Sequence, residues 1–167
     1  TIGSSNKARV GLPSDAATGE WIINEILFNP RSNAYDYIEL YNNSNKIFDA
    51  SKLYIANRNS SGVISSIKAL SPLPYYIFPG DYIVETEDAD NLALQYLVKN
   101  PENVLLISSP PSFPDDEGTV VALNFQGNVV DEVKYKDDWH FKLLDDAEGV
   151  SLERIDPAGP SQNETNW

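Results

Sequence analysis

A chain of 167 residues, 41% of them apolar and 22% charged, can bury one hydrophobic core and is unlike a disordered segment. Its formal net charge of −13, from 12 Lys+Arg against 25 Asp+Glu, makes nucleic acid and anionic membrane surfaces poor partners, because both call for a basic surface. The absence of cysteine excludes disulfides, thiolate metal sites and cysteine nucleophiles, and no apolar run approaches the ~20 residues of a membrane span, so no membrane insertion is expected.

Residues 1–20 are small and polar, with one proline and no sustained period, and read as a linker or the end of an upstream domain. A short strand at Lys7–Leu12 is one option within them. With Thr1 as its first residue, the chain is expected to be a processed or excised piece of something longer. From Trp21 to Trp167 the pattern is that of a single domain, and it begins with β-type alternation. Strands are expected in "WIINEILFNP" (21–30), "YDYIELYNN" (35–43), "KLYIANR" (52–58) and, after a turn at Asn59–Gly62, "VISSIKAL" (63–70). A proline-rich crossover, "SPLPYYIFPGD", leads to "YIVET" (82–86). In "EDADNLALQYLVKNP" the period changes. Ala89, Leu92, Ala93, Tyr96 and Leu97 recur at helical spacing, with Asp88 as cap and Pro101 beyond the end, which predicts one helix over about 88–98. Further strands follow in "NVLLIS" (103–108), "TVVALNF" (119–125), "NVVDEVKY" (128–135) and "GVSLERI" (149–155). Short strands separated by turn signals predict an all-β sandwich or barrel.

Five stretches taken in order, "IINEILFNP" (22–30), "YIELYNNSNKIFDASKLYI" (37–55), "FPGDYIV" (78–84), "GTVVALNFQGNVVDEVKY" (118–135) and "GVSLERIDP" (149–157), resemble the lamin-tail domain (LTD) family, in particular its exported bacterial members. The resemblance spans roughly residues 20–167. It implies an immunoglobulin-like antiparallel β-sandwich without a disulfide, into which the one short helix predicted from the period is inserted. It also implies a non-catalytic accessory module of a larger exported protein at the cell surface, associated with the outer membrane or secreted. Its partners would be other domains of the same parent chain and an unknown protein or cell-surface component. Family members run somewhat past Trp167, so a truncated C-terminus is implied. The insertion at 86–117 is absent from the compact lamin version, and lamin contacts do not transfer to it.

The candidate site residues are carboxylates inside strands. Side chains two apart share a face, which places Asp131 with Val129, Val133 and Tyr135 on an inward face. The same parity places Glu25 with Ile23 and Leu27, and Glu39 with Tyr37 and Tyr41. A carboxylate taken from water without partners costs on the order of several kcal/mol. A buried polar network of Glu25, Glu39, Asp131 and Arg154 is therefore expected, with Arg154 within ion-pair reach of at least one of the three acids. The remote alternative is a carboxylate-based hydrolase, since paired carboxylates are what glycoside hydrolysis uses.

Asp115, Asp116 and Glu117 should meet Asp137 and Asp138 at one end of the sandwich if the strands at 119–125 and 128–135 pair. A solvated acidic rim is the expectation and Ca²⁺ the alternative; no EF-hand loop is present, and no other cofactor is expected. His140, the only histidine, has no second histidine for a zinc site and no nucleophile elbow to serve. Tyr75, Tyr76 and Trp139 are candidates for stacking a glycan. The function classes are thus an interaction module first, a Ca²⁺- or glycan-binding module second, and a hydrolase last.

Overall fold

The computed structural model describes residues 9–167, and the alternating segments form strands in it. In chain order these are β1 (Trp21–Leu27), β2 (Tyr37–Asn42), β3 (Phe48–Asp49), β4 (Leu53–Arg58), β5 (Ile64–Ala69), β6 (Tyr76–Ile77) and β7 (Tyr82–Thr86). Helix α1 (Ala89–Gln95) follows, then β8 (Val104–Leu106), β9 (Glu117–Asn124), β10 (Val129–Lys136) and β11 (Leu152–Glu153). One sheet has the order β11-β1-β2-β7-β8 and the other β10-β9-β4-β5, while β3 and β6 pair apart from both. This is the expected immunoglobulin-like sandwich, with one departure from an all-antiparallel arrangement. β8 runs parallel to β7, because the chain between them passes through α1, and a crossover rather than a hairpin returns a strand in the same direction. No helix among the described residues is long and apolar enough to cross a membrane.

The two sheets face each other across a core that includes Ile23, Ile26, Phe28, Ile38, Leu40 and Ile83 on one side and Leu53, Ile55, Val120, Ala122, Val133 and Tyr135 on the other. Three bulges decide which residues reach it. Register shifts lie between Ile23 and Glu25, between Ile55 and Asn57, and between Val129 and Asp131. An extra residue reverses the parity downstream of it. Val130, not Val129, therefore joins the core with Val133 and Tyr135, and Val129 packs on the outer face of the second sheet. By the same shift, Ile23 faces the core while Leu27 faces outward, against Tyr37 and Leu92.

Helix α1 is shorter than its sequence period. Asp88 caps it by accepting from the Asn91 N–H at 2.9 Å, but the chain is extended again at Tyr96. The Tyr96 ring packs edge-on to Tyr37 with centroids 5.5 Å apart, and its hydroxyl donates to the Gly149 carbonyl at 2.9 Å. These contacts pull the chain out of the helix, and Leu97 is left 86% exposed.

The segment expected as a linker is docked from Pro13 onward. Pro13 bridges Ile47, Ala16 is buried with its carbonyl accepting from Asn124 Nδ2 at 3.0 Å, and the Gly19 N–H donates to the Val130 carbonyl at 2.9 Å. Residues 13–20 thus belong to the sandwich. Of the strand considered at Lys7–Leu12, residues 7 and 8 lie outside the described residues and 9–12 carry no strand.

The sheets are joined along one side by side chains. β11 pairs with β1 only at Glu25 and Ile26, which leaves the peptide groups of Ile23 without a strand partner on that side. Asp131 Oδ2, from β10 of the other sheet, accepts from the Ile23 N–H at 2.8 Å, and Arg154 Nε, just after β11, donates to the Ile23 carbonyl at 2.8 Å. Arg154 Nη2 meets Asp131 Oδ2 at 2.9 Å, with side-chain exposures of only 1% and 8%. Ser161 Oγ accepts from Arg154 Nη2 at 2.8 Å and donates to Asp131 Oδ1 at 2.5 Å. The tail repeats the device farther along β10. Gln162 accepts from the Lys134 N–H at 3.3 Å and donates to the Glu132 carbonyl at 2.6 Å, so one amide stands where a strand would.

Arg154→Met should cost about 3–5 kcal/mol in chemical denaturation, because it leaves the Asp131 carboxylate buried without its cation. Arg154→Met/Asp131→Leu should recover a large part of that loss. A loss below about 1 kcal/mol for the single variant would show that the pair does not hold the sheets together.

Candidate functional site

Because the bulge at Ile23–Glu25 turns Glu25 outward, the carboxylates expected as one inward network divide into two groups. Asp131 and Arg154 form the ion pair described above. Glu25 and Glu39 lie instead on the outer face of the five-stranded sheet. There Glu25 is the register partner of both Glu153 and Glu39, Glu39 of Val84, and Val84 of Val104. One row thus crosses the sheet in the order Glu153, Glu25, Glu39, Val84, Val104, three acids followed by two valines. Neighbouring strands are about 4.8 Å apart, so the acidic half is about 10 Å wide.

A groove of about 690 Å³ lies over this row. Its apolar end is lined by Leu92 of α1 and by Tyr96 and Val98 of the following arm, and its acidic end by Glu153 and Ile155, with Tyr82 on the floor beside Val84. Leu97 and Ile155 stand on the rim, the latter 71% exposed. Glu25 Oε1 accepts from the Tyr37 hydroxyl and from Ser151 Oγ, both at 2.5 Å, and Glu39 Oε1 accepts from Asn24 Nδ2 at 2.9 Å. Burial pushes the Glu39 carboxyl up to about 7, opposed by the Asn24 amide and reinforced by Glu25 and Glu153. Burial also raises the Tyr37 hydroxyl, with the adjacent Glu25 adding to the shift, so Tyr37 stays a hydrogen-bond donor.

A protonated carboxyl beside a second carboxylate is an arrangement that acid–base hydrolysis can use. Here, however, Glu25 is held by two hydroxyl donors, and the row is a flat ladder on one face, without a second wall of carboxylates. The geometry is better suited to holding a positive charge than to flanking a scissile bond.

The remaining candidates are dispersed. β9 and β10 pair through a turn with Gly127 at φ 79°, and the Asp137 N–H donates to the Asp116 carbonyl at 2.8 Å, so the two acidic groups do meet at one end. Asp115, Asp116, Glu117, Asp137 and Asp138 are all exposed there. Among the described residues no group of three or more His, Asp or Glu side chains is arranged to hold a metal ion. His140 is buried, with Nδ1 3.0 Å from the Asp137 carbonyl and Nε2 2.9 Å from the Val150 carbonyl, and its ring tilts against Phe28. Both nitrogens are occupied by backbone, which makes it a clasp for the 137–150 loop. Tyr75 is half-buried and donates to the Glu102 carbonyl at 2.9 Å, Trp139 packs against Trp167, and Tyr76 is exposed on β6. No ring contact joins these three among the described residues.

Two carboxyls escaped the sequence reading. Glu85 is the register partner of Ile38 and shares its core-facing side; it is 3% exposed, Oε1 has no partner, and burial raises its pKa well above the ordinary carboxyl value. Alternation within "YIVET", which sets Glu85 with Ile83, was the signal that would have found it. Asp36 is pushed up to about 7 by burial, with Asp115 and Glu87 adding to the shift; it precedes β2 and carries no parity signal.

A family model described as Lamin Tail Domain matches residues 14–137. No curated protein sequence matches the chain. The family match takes in β1 to β10, and the structure adds β11, Arg154 and the tail to the same sandwich.

Glu39→Gln and Glu85→Gln each remove a carboxyl that holds its proton more tightly in the folded state than in the unfolded chain. Stability from such a group is fully present below the ordinary value of 4.5 and is lost as pH rises through the folded value, about 7 for Glu39. Both variants should match the parent Tm at pH 4 and exceed it at pH 8. The gain should be about 2–4 °C for Glu39, whose partial exposure holds the effect near 1 kcal/mol, and larger for Glu85. A lower Tm than the parent at pH 8 would refute the assignment.

Proposed function

Since the chain belongs to the Lamin Tail Domain family, a family of non-enzymatic immunoglobulin-like β-sandwich modules, we propose that it is a non-catalytic interaction module whose five-stranded sheet presents its outer groove to a protein partner. In this reading it serves as an accessory unit of a larger exported bacterial protein, with other domains of the parent chain as neighbours and a protein or cell-surface component as partner. The observation that carries the reading is the groove itself. Its floor is a sheet, its sides come from Leu92 of α1 with the 96–100 arm and from residues 154–157 after β11, and exposed apolar residues line its rim, which is where binding surfaces concentrate.

The test is a random-peptide display selection at pH 8 on the intact chain, run in parallel on Val104→Trp, which fills the groove from β8. Peptides enriched on the parent and lost on the filled variant, with both proteins giving the same circular dichroism, are the expected result. Equal capture by the two proteins would overturn the reading. So would glycoside turnover by the parent that disappears in Glu39→Gln, because the groove would then be an active site.

A further inference from the structure

We propose that the groove is a socket for one cationic side chain, a lysine or arginine carried by an extended segment of a protein partner. This rests on the reading of the groove as a protein-docking site and names the chemistry that the site takes.

Like charges directly opposite one another in a sheet are destabilising where both are ionised, and this fold sets three carboxyls in one row, Glu153, Glu25 and Glu39, on three adjacent strands. Among the described residues none of the three makes an ion pair. Lys99 lies on the groove wall and still forms no bridge to them. The opposite face of the same sheet edge shows how the protein neutralises a carboxylate when it does so internally, with Arg154 on Asp131 at 2.9 Å. The outward row lacks such a cation, and the tyrosines beside it, Tyr37, Tyr82 and Tyr96, are the side chains that accept a cation over a ring face or donate to a carboxylate.

The rest of the row fixes the shape of the guest. From Glu39 the floor continues as Val84 and Val104, packed with Leu92 and Val98, so the groove is acidic at one end and apolar at the other. Lysine and arginine have this same division, a charged head on a three- or four-carbon stem. A bare metal ion would gain nothing from the valines, and the acids are not arranged as a metal-ligand set among the described residues. The exposed Leu97 and Ile155 on the rim would meet the residues flanking the cation.

The probes are the peptides acetyl-Gly-Ser-Val-X-Val-Ser-Gly-amide with X as lysine, arginine, norleucine or glutamate, titrated into the ¹⁵N-labelled chain at pH 8 and followed by amide shifts. Lysine and arginine peptides should shift the β1, β2 and β11 resonances at concentrations at least tenfold below norleucine, with glutamate weakest. Glu39→Gln/Glu153→Gln should abolish that preference while leaving the dispersed spectrum intact. The exposed single variant Glu153→Gln should reduce it, which keeps the test open if the double variant folds poorly. Should norleucine bind as well as lysine, and Val104→Trp lose both, the cation socket is overturned while the docking groove stands. If no peptide moves groove resonances, the docking reading falls, and the socket with it.

Discussion

The peptide group of Ile23 has to be hydrogen-bonded in a place where no strand reaches it, and the whole architecture turns on how that is done. A buried N–H and C=O left unpaired would each cost on the order of 1–3 kcal/mol. Asp131 and Arg154 satisfy them from opposite sheets and neutralise one another, so a local backbone requirement becomes the seam of the sandwich. Taken alone, a buried ion pair is weak evidence for stability, since desolvation offsets attraction. This pair differs because its oxygens and nitrogens are also taken by Ile23, Gly159 and Ser161.

The seam and the groove are two outcomes of one geometry. With Ile23 fixed inward, the bulge throws Glu25 outward onto the solvent face of the same strand. With Arg154 fixed inward, Glu153 beside it on β11 is also set outward. The acids that line the groove therefore owe their positions to the residues that lock the sheets. A sandwich side that is internally neutralised lies back to back with one that is left charged.

The architecture was largely legible in the sequence because it is written in alternation: nine apolar runs and the turns between them gave the sandwich, the hairpin of β9 and β10, and the inward aim of Asp131. Strands of two residues, β3 and β6, left too little pattern to be read. The errors of facing at Glu25 and Val129 have one cause. Parity is a local rule, and a single inserted residue cancels it, so Val129 and Glu25 were placed on the wrong side of their neighbours by bulges that propensity does not encode. Asn24, a polar residue inside the apolar run "WIINEIL", was the one trace of the first bulge. The end of α1 was misplaced because Tyr96 follows its contacts with Tyr37 and Gly149 rather than the helical period. The groove was invisible from sequence for a similar reason, as its row is assembled from five strands.

The amide of Gln162 on the free edge of β10 bears on solubility. An open edge is a template on which another chain can polymerise, and natural sheets blunt theirs with charge, proline or a cover. At Glu132 and Lys134 the cover is one side chain on a tail that follows two prolines, attached by two hydrogen bonds. Resistance to edge-to-edge aggregation is thus vested in residues outside both sheets. A protease that trims the tail would uncover the Lys134 N–H and the Glu132 carbonyl on that edge while leaving every strand intact.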